Sequence, residues 1–303
     1  MPVDYRRGFI AIIVAITGYA FLPIFANFVY RAVPDFQTTD IALWRFIFAT
    51  PIIWGVIIMR QRRTDKPAPV ERPIQILKMM SLGILYAIAA LSIFAGIRYI
   101  PTGIYMVIFY TYPAMVALIS VVLGVRLSAL AWLAIGLTLI GLILTIPDFN
   151  LSDGNTVLLG VGIALINALS VAIYFLLVGN IMQQSVSVAR GTAWVITGTL
   201  LVLSLTIPLF GLTIPTRLDV WGLLLAIAVF GTAMPIFLIN IGIQQLGSSR
   251  AAIISVGEPV LAMIFALIFL GEIILPLQWV GAAFIVAAVV ILEVRPRRKR
   301  ALN

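Results

Sequence analysis

The chain contains no cysteine and no histidine. Disulfides and thiolate sites are therefore excluded, and cysteine usage says nothing of the compartment. Zinc chemistry and Ser-His catalysis have little to work with. Charge is scarce too, at 10% of residues against 62% hydrophobic ones, with a mean hydropathy of +1.15. An ordinary soluble domain does not have that balance. No polar segment is long enough for a second domain, the largest gap, Arg60 to Arg72, reading as a loop. No P-loop motif is present to couple ATP. Nothing implies a cofactor or a metal, and an enzyme is not expected, since the chain lacks a nucleophile-base pair or a ligand set.

What is present is a series of apolar runs, each about twenty residues long, the length that crosses a bilayer as a helix. Ten spans are predicted: Gly8–Tyr30, Asp40–Met59, Ile74–Ile97, Thr102–Leu123, Ala129–Ile146, Val157–Ile181, Gly191–Phe210, Val220–Gln244, Ser249–Leu270 and Pro276–Val294. The first lacks a small-residue cleavage site and is expected to be retained. The net charge of +9 and pI near 10.3 do not point to nucleic acid, because the basic residues fall in alternate loops. With the N-terminus in the cytoplasm, Arg6, Arg7, Arg60, Arg62, Arg63, Lys66, Arg72, Lys78, Arg126, Arg190, Arg250 and the tail from Arg295 to Arg300 lie inside. Only Arg31, Arg98 and Arg217 lie outside, with Arg45 in a span. That bias places both termini in the cytoplasm and requires an even number of crossings.

Two parts of the chain follow one plan. GIRYIPTGIYMVIFYTYPAMVALISVVLG, from Gly96, aligns with GIQQLGSSRAAIISVGEPVLAMIFALIFLG, from Gly242. Pro113 falls on Pro259, Gly124 on Gly271, and Tyr112 where the second copy has Glu258. Residues 1–146 and 157–303 then form two five-span repeats, the second ending in a basic tail, joined by an outer linker at 147–156. Five being odd, the second repeat enters the membrane from the opposite side, and a substrate site is expected near the midplane between the halves.

Ser255 to Glu272, with Glu-Pro-Val at 258–260 and Leu-Gly-Glu at 270–272, resembles the EamA type of the drug/metabolite transporter superfamily. The resemblance covers nearly the whole chain, and within the superfamily it looks most like the YddG-type exporters of aromatic and other neutral amino acids. It implies an all-α membrane protein of ten helices in a 5+5 inverted repeat. It also implies alternating access around a central cavity lined from the first, third, fourth, sixth, eighth and ninth spans. One departure stands out: the first copy has Leu-Gly-Val-Arg at 123–126, so Val125 replaces the acid found at Glu272.

Glu258 is the one carboxylate well inside a predicted span, ~15 Å deep at 1.5 Å per residue. It reads either as a substrate or proton-coupling site or as a brace for the kink at Pro259. Arg45 reads as a carboxylate clamp or as a side chain that snorkels to the interface. Asn167, with Tyr174 two turns away and Ser170 on the same face, reads as a cavity stripe or as interhelical glue. Tyr19, Tyr86, Met106, Tyr110, Tyr112 and Met234 suit a cavity for flat apolar substrates. Pro23, Pro113, Pro208, Pro235 and Pro259 are expected to interrupt their helices, as kinks or hinges. Gly83, Gly103, Gly162 and Gly281 read as close-packing positions. The expected function is export of small organic molecules, aromatic and neutral amino acids first, across a bacterial inner membrane. The alternative is a multidrug or lipophilic-cation exporter; a gated pore is a third reading. The expected partners are a small-molecule substrate and the lipid bilayer, with no nucleic acid and a monomer as the simplest form.

Overall fold

The computed structural model describes residues 4–63, 71–96, 98–100, 102–145, 154–182, 187–271 and 273–293. Among them there is helix and no strand. Residues 147–153 of the expected linker, Lys66, Glu272 and the basic tail lie outside the described residues. Three long helices come first: α1 (Tyr5–Ala32), α2 (Thr38–Arg62) and α3 (Pro73–Gly96). The next rod is broken into α4 (Thr102–Phe109) and α5 (Tyr112–Val122), and α6 (Ala129–Leu144) follows. The second half opens with α7 (Gly154–Met182), then α8 (Val188–Ser204) with a single-turn extension, α9 (Ile207–Phe210). Helix α10 (Leu218–Ala228) passes through a π-helical segment, Val229–Ala233, into α11 (Met234–Leu246). Helix α12 (Ser248–Ser255) restarts as α13 (Glu258–Phe265), which ends in a second π segment, Ala266–Leu270, before α14 (Pro276–Glu293).

Eight helices, some counted across their breaks, are long and apolar enough to cross a membrane. The fifth and tenth predicted spans are helical and apolar but shorter, at Ala129–Leu144 and Pro276–Ile291.

Prolines place the breaks. Pro113, Pro208 and Pro259 each sit at the second position of a helix that restarts after an interruption, and Pro235 sits at the second position of α11, directly after the π segment. A first-turn residue has no intrahelical acceptor for its N–H, so a proline there loses nothing. Pro23 departs from expectation: α1 runs through it without interruption. Pro51, which the sequence reading passed over, does the same in α2. The broken rods end alike. Gly124 and Gly271 both adopt left-handed backbone, at φ 87° and 69°, which favours glycine. At Gly124 the N–H of Val125 reaches the Ser120 carbonyl at 2.9 Å and that of Gly124 the Val121 carbonyl at 2.9 Å, closing the helix end.

The heaviest packing joins first-half helices to second-half helices: α3 lies on α7 and α8, α1 on α11, and α6 on α14. Small residues allow it. A Cβ on Gly83 would strike the backbone of Gly198 and Thr199, and one on Gly281 would lie 2.5 Å from the Gly141 carbonyl oxygen. Gly162 is otherwise, with open space around it, so it is no close-packing position. Gly103 has no described surroundings.

Candidate functional site

Glu258 is the first residue of α13, directly after the interruption at Val256–Gly257. A carboxylate in a first helical turn is favoured by the helix dipole. Because Pro259 has no N–H, the Ser255 carbonyl loses its ordinary helical donor. Tyr112 holds the same place in the first copy. It opens α5 after the interruption at Tyr110–Thr111, and Pro113 beside it frees the Phe109 carbonyl.

Tyrosines surround the carboxylate. The Tyr110 side chain is turned to Glu258, and Tyr19, Tyr86 and Tyr112 stand within electrostatic reach of it. The hydroxyls of Tyr19 and Tyr86 are hydrogen-bonded to each other, joining α1 to α3. The Tyr86 ring meets Tyr174 edge-on at 5.0 Å and Phe46 at 6.4 Å. Tyr112 tilts against Phe175 at 5.5 Å. These are favourable ring geometries, and they fix the walls.

Arg45 stands within electrostatic reach of the same Tyr19 and Tyr86. Its guanidinium lies 5.0 Å from the Phe46 ring centroid and faces both tyrosines. Its Nε is buried and has no hydrogen-bond partner. Among the described residues the ion pairs are Arg190–Glu71 and Arg217–Asp219, so neither Arg45 nor Glu258 has an ionic partner there. Tyr19, Arg45, Tyr86 and Glu258 are each half-buried while Tyr19 and Tyr86 rest on the central core. Part of each therefore borders space that water can reach.

The other expected cavity residues take the following places. Asn167 donates from Nδ2 to the Tyr105 hydroxyl at 2.7 Å, tying α7 to α4, while its Oδ1 stays unpaired. Ser170 bonds back to the Ile166 carbonyl of its own helix. Met106 packs at the edge of the core between two clusters, and Met234 packs on Gly18, where α1 meets the π segment. Of the intended stripe only Tyr174 reaches the tyrosine cluster.

The sequence reading missed Asn240 and Thr192. Tyr174 donates to Asn240 Oδ1 at 2.9 Å, and Asn240 Nδ2 donates to Thr192 Oγ1 at 2.9 Å, a buried chain across α7, α11 and α8. Both polar residues fall close to span ends in the sequence, where an amide or hydroxyl attracts no notice. The signal available was Asn240 standing four residues inside an apolar run.

Beyond the cluster, each end of the bundle has a polar tie. Asp40 accepts from the Thr213 N–H at 3.0 Å, and Trp44 donates to the Thr213 carbonyl at 2.9 Å. At the other end Glu71 accepts from Arg190 Nε at 2.8 Å and from Trp194 Nε1 at 2.7 Å.

Residues 6–146 and 158–294 each match the family model described as the EamA-like transporter family. The chain belongs to this family. Relatives agree: an uncharacterized transporter of Synechocystis is 32% identical over 232 residues, 74% of this chain and 68% of that protein. The uncharacterized transporter YcbK of Bacillus subtilis is 23% identical over 96% of this chain and 94% of its own. An uncharacterized transporter of Archaeoglobus fulgidus is 27% identical over 70% of this chain. A solved crystal structure has the same fold, with a TM-score of 0.79 at 14% identity, covering 95% of this chain and 97% of that one. This EamA-like protein is thus a multi-pass membrane transporter with two matching repeats, and its candidate site is a tyrosine cluster that includes Glu258 and borders Arg45, neither of them in an ion pair among the described residues.

Proposed function

We propose that this EamA-like transporter exports zwitterionic small molecules, aromatic and other neutral amino acids first, by alternating access. The observation that carries this reading is that the hydrogen-bonded pair Tyr19–Tyr86 lies within electrostatic reach of both Arg45 and Glu258. Burying either charge alone is costly in a membrane protein, and each lacks a protein counter-ion among the described residues. An α-amino acid supplies both: its carboxylate suits a guanidinium and its ammonium suits a carboxylate. Flat side chains suit the tyrosine walls.

The mechanism in this reading is a rocking of two five-helix repeats, residues 1–146 and 157–303, inverted with respect to each other. The pattern of packing supports it. The contact of α3 with α7 has its counterpart in that of α11 with α1, and α6 pairs with its own equivalent, α14. Breaks at Tyr110–Thr111 and Val256–Gly257, in equivalent helices, supply the hinges, and the ties at Asp40 and Glu71 hold opposite ends. The bacterial inner membrane, with both termini cytoplasmic, belongs to this proposal.

The test is efflux of labelled phenylalanine, threonine and methylviologen from loaded proteoliposomes, with and without a pH gradient. Phenylalanine and threonine should leave and compete. Arg45→Gln and Glu258→Gln should each slow them roughly 10- to 100-fold, the loss of one charge-assisted bond. A gradient effect lost in Glu258→Gln assigns proton coupling to that carboxylate. Movement of methylviologen alone would replace the zwitterion by a lipophilic cation, with Glu258 as its counter-charge.

A further inference from the structure

A cavity distinct from the tyrosine cluster opens where the ends of α5 and α7 meet the starts of α6 and α12. Its volume is about 580 Å³, and its lining includes Arg126, Arg250, Ser128, Ser249, Asn180 and Leu123. No carboxylate lines it. Neither arginine is in an ion pair among the described residues. Arg250 is held over the Tyr5 ring, 5.7 Å from its centroid, which fixes the direction of an otherwise mobile side chain. The hydroxyl of Ser128 accepts the Ala131 N–H at 3.2 Å and keeps its own hydrogen to donate. Helix α12 starts at the same cavity, and Gly247 before it supplies no side-chain cap. Two guanidiniums, the Ser128 hydroxyl and no acid among the described residues make a receptor for an anion.

The surroundings choose the kind of anion. In the lining of the cavity Leu123 is 65% exposed and Val125 51% exposed, apolar surface that water does not favour. Both arginines lie on the face that the charge bias assigns to the cytoplasm, where the bilayer leaflet is anionic and basic pockets between helices take phosphate headgroups. We infer that this cavity binds the phosphate of an anionic phospholipid, Arg126 and Arg250 gripping the headgroup while an acyl chain lies over Leu123 and Val125. The site is independent of the amino-acid reading, since it shares no lining residue with the tyrosine cluster.

The experiment is native mass spectrometry and thermal unfolding of the full chain, titrated with phosphatidylglycerol, phosphatidylcholine or inorganic phosphate. Phosphatidylglycerol should remain bound and raise the unfolding midpoint, and phosphatidylcholine should do neither. The Arg126→Gln/Arg250→Gln pair should weaken phosphatidylglycerol binding at least about tenfold, the loss of charge-assisted bonds. Arg126→Lys/Arg250→Lys, which keeps the charge and loses the planar fork, should fall between and guards against a variant that merely misfolds. Saturable stabilisation by inorganic phosphate that the Gln pair abolishes would keep the phosphate site and make its source a free anion. Equal retention of both lipids, or phosphatidylglycerol binding unchanged in the folded Gln pair, overturns the inference.

Discussion

Tyr86 carries two separable roles, and its variants should separate them. Its hydroxyl holds Tyr19, and its ring abuts Tyr174 and Phe46. Tyr86→Phe removes one hydrogen bond but keeps the wall, so efflux of phenylalanine should fall only two- to fivefold, roughly 0.5–1 kcal/mol. Tyr86→Ala removes the wall, and phenylalanine should then lose ground to threonine in competition assays. An unchanged preference between the two amino acids in Tyr86→Ala would remove the aromatic wall from the site. Asn240 is a different kind of residue. It serves Tyr174 and Thr192 at once, so Asn240→Ala leaves two buried hydroxyls short of a partner. Interhelical bonds in membrane proteins average only about 0.6 kcal/mol, but an orphaned buried group costs about 1–3 kcal/mol. The unfolding midpoint in detergent should therefore drop by an amount equivalent to roughly 1–2 kcal/mol, with Thr192→Ser losing much less. The sequence could place Glu258 and Arg45 because a charge inside an apolar run is visible at any register. It could not place Asn167, because which neighbour an amide meets depends on helix rotation, and here that neighbour is Tyr105.

Helices show where sequence reading holds and where it stops. All ten predicted starts fall within three residues of a helix start, because apolar runs and caps mark them: Asp4, Ser128 and Ser187 each accept an N–H from the first turn. The interruptions at Pro113, Pro208, Pro235 and Pro259 were legible from the prolines alone. Pro23 was not, since a proline in a long helix gives no sign of whether neighbouring helices hold that helix together. The π segments at Val229–Ala233 and Ala266–Leu270 have no sequence signature either. Two glycines make the packing argument testable. Gly281→Ala would drive a methyl into the Gly141 carbonyl and should destabilise by about 1–3 kcal/mol, as overpacking does. Gly162→Ala meets nothing within 4 Å, so its unfolding midpoint should hold or rise slightly. Equal effects at the two positions would mean that α6 and α14 are not held at that crossing.

For the whole molecule the open quantity is the number of crossings, and it turns on the short helix α6. Its 16 residues span about 24 Å at 1.5 Å per residue, against a hydrocarbon thickness of ~30 Å. A mismatch of that size costs fractions of a kcal/mol per Å. Keeping the helix out of the bilayer would cost more. Leu130, Trp132, Leu133, Ile140 and Ile143 are all exposed, with no protein surface to cover them, and each large apolar side chain left in water forgoes about 1.5–3 kcal/mol. Lipid contact wins, and α6 should cross. The absence of cysteine from the chain makes the test clean, since any introduced thiol is labelled without background. Between Val125 and Thr216 lie α6, α7 and the α8–α9 rod, an odd number of crossings if α6 is counted and an even number if it is not. In intact cells a membrane-impermeant maleimide should label the Thr216→Cys variant and not the Val125→Cys variant until the membrane is opened. Ile273→Cys and Ala301→Cys ask the same of α14, with the first expected to be reactive from outside and the second protected. Labelling of both members of either pair from one side would remove that short helix from the count, and with it the inverted pairing of α6 and α14 on which a rocking mechanism depends.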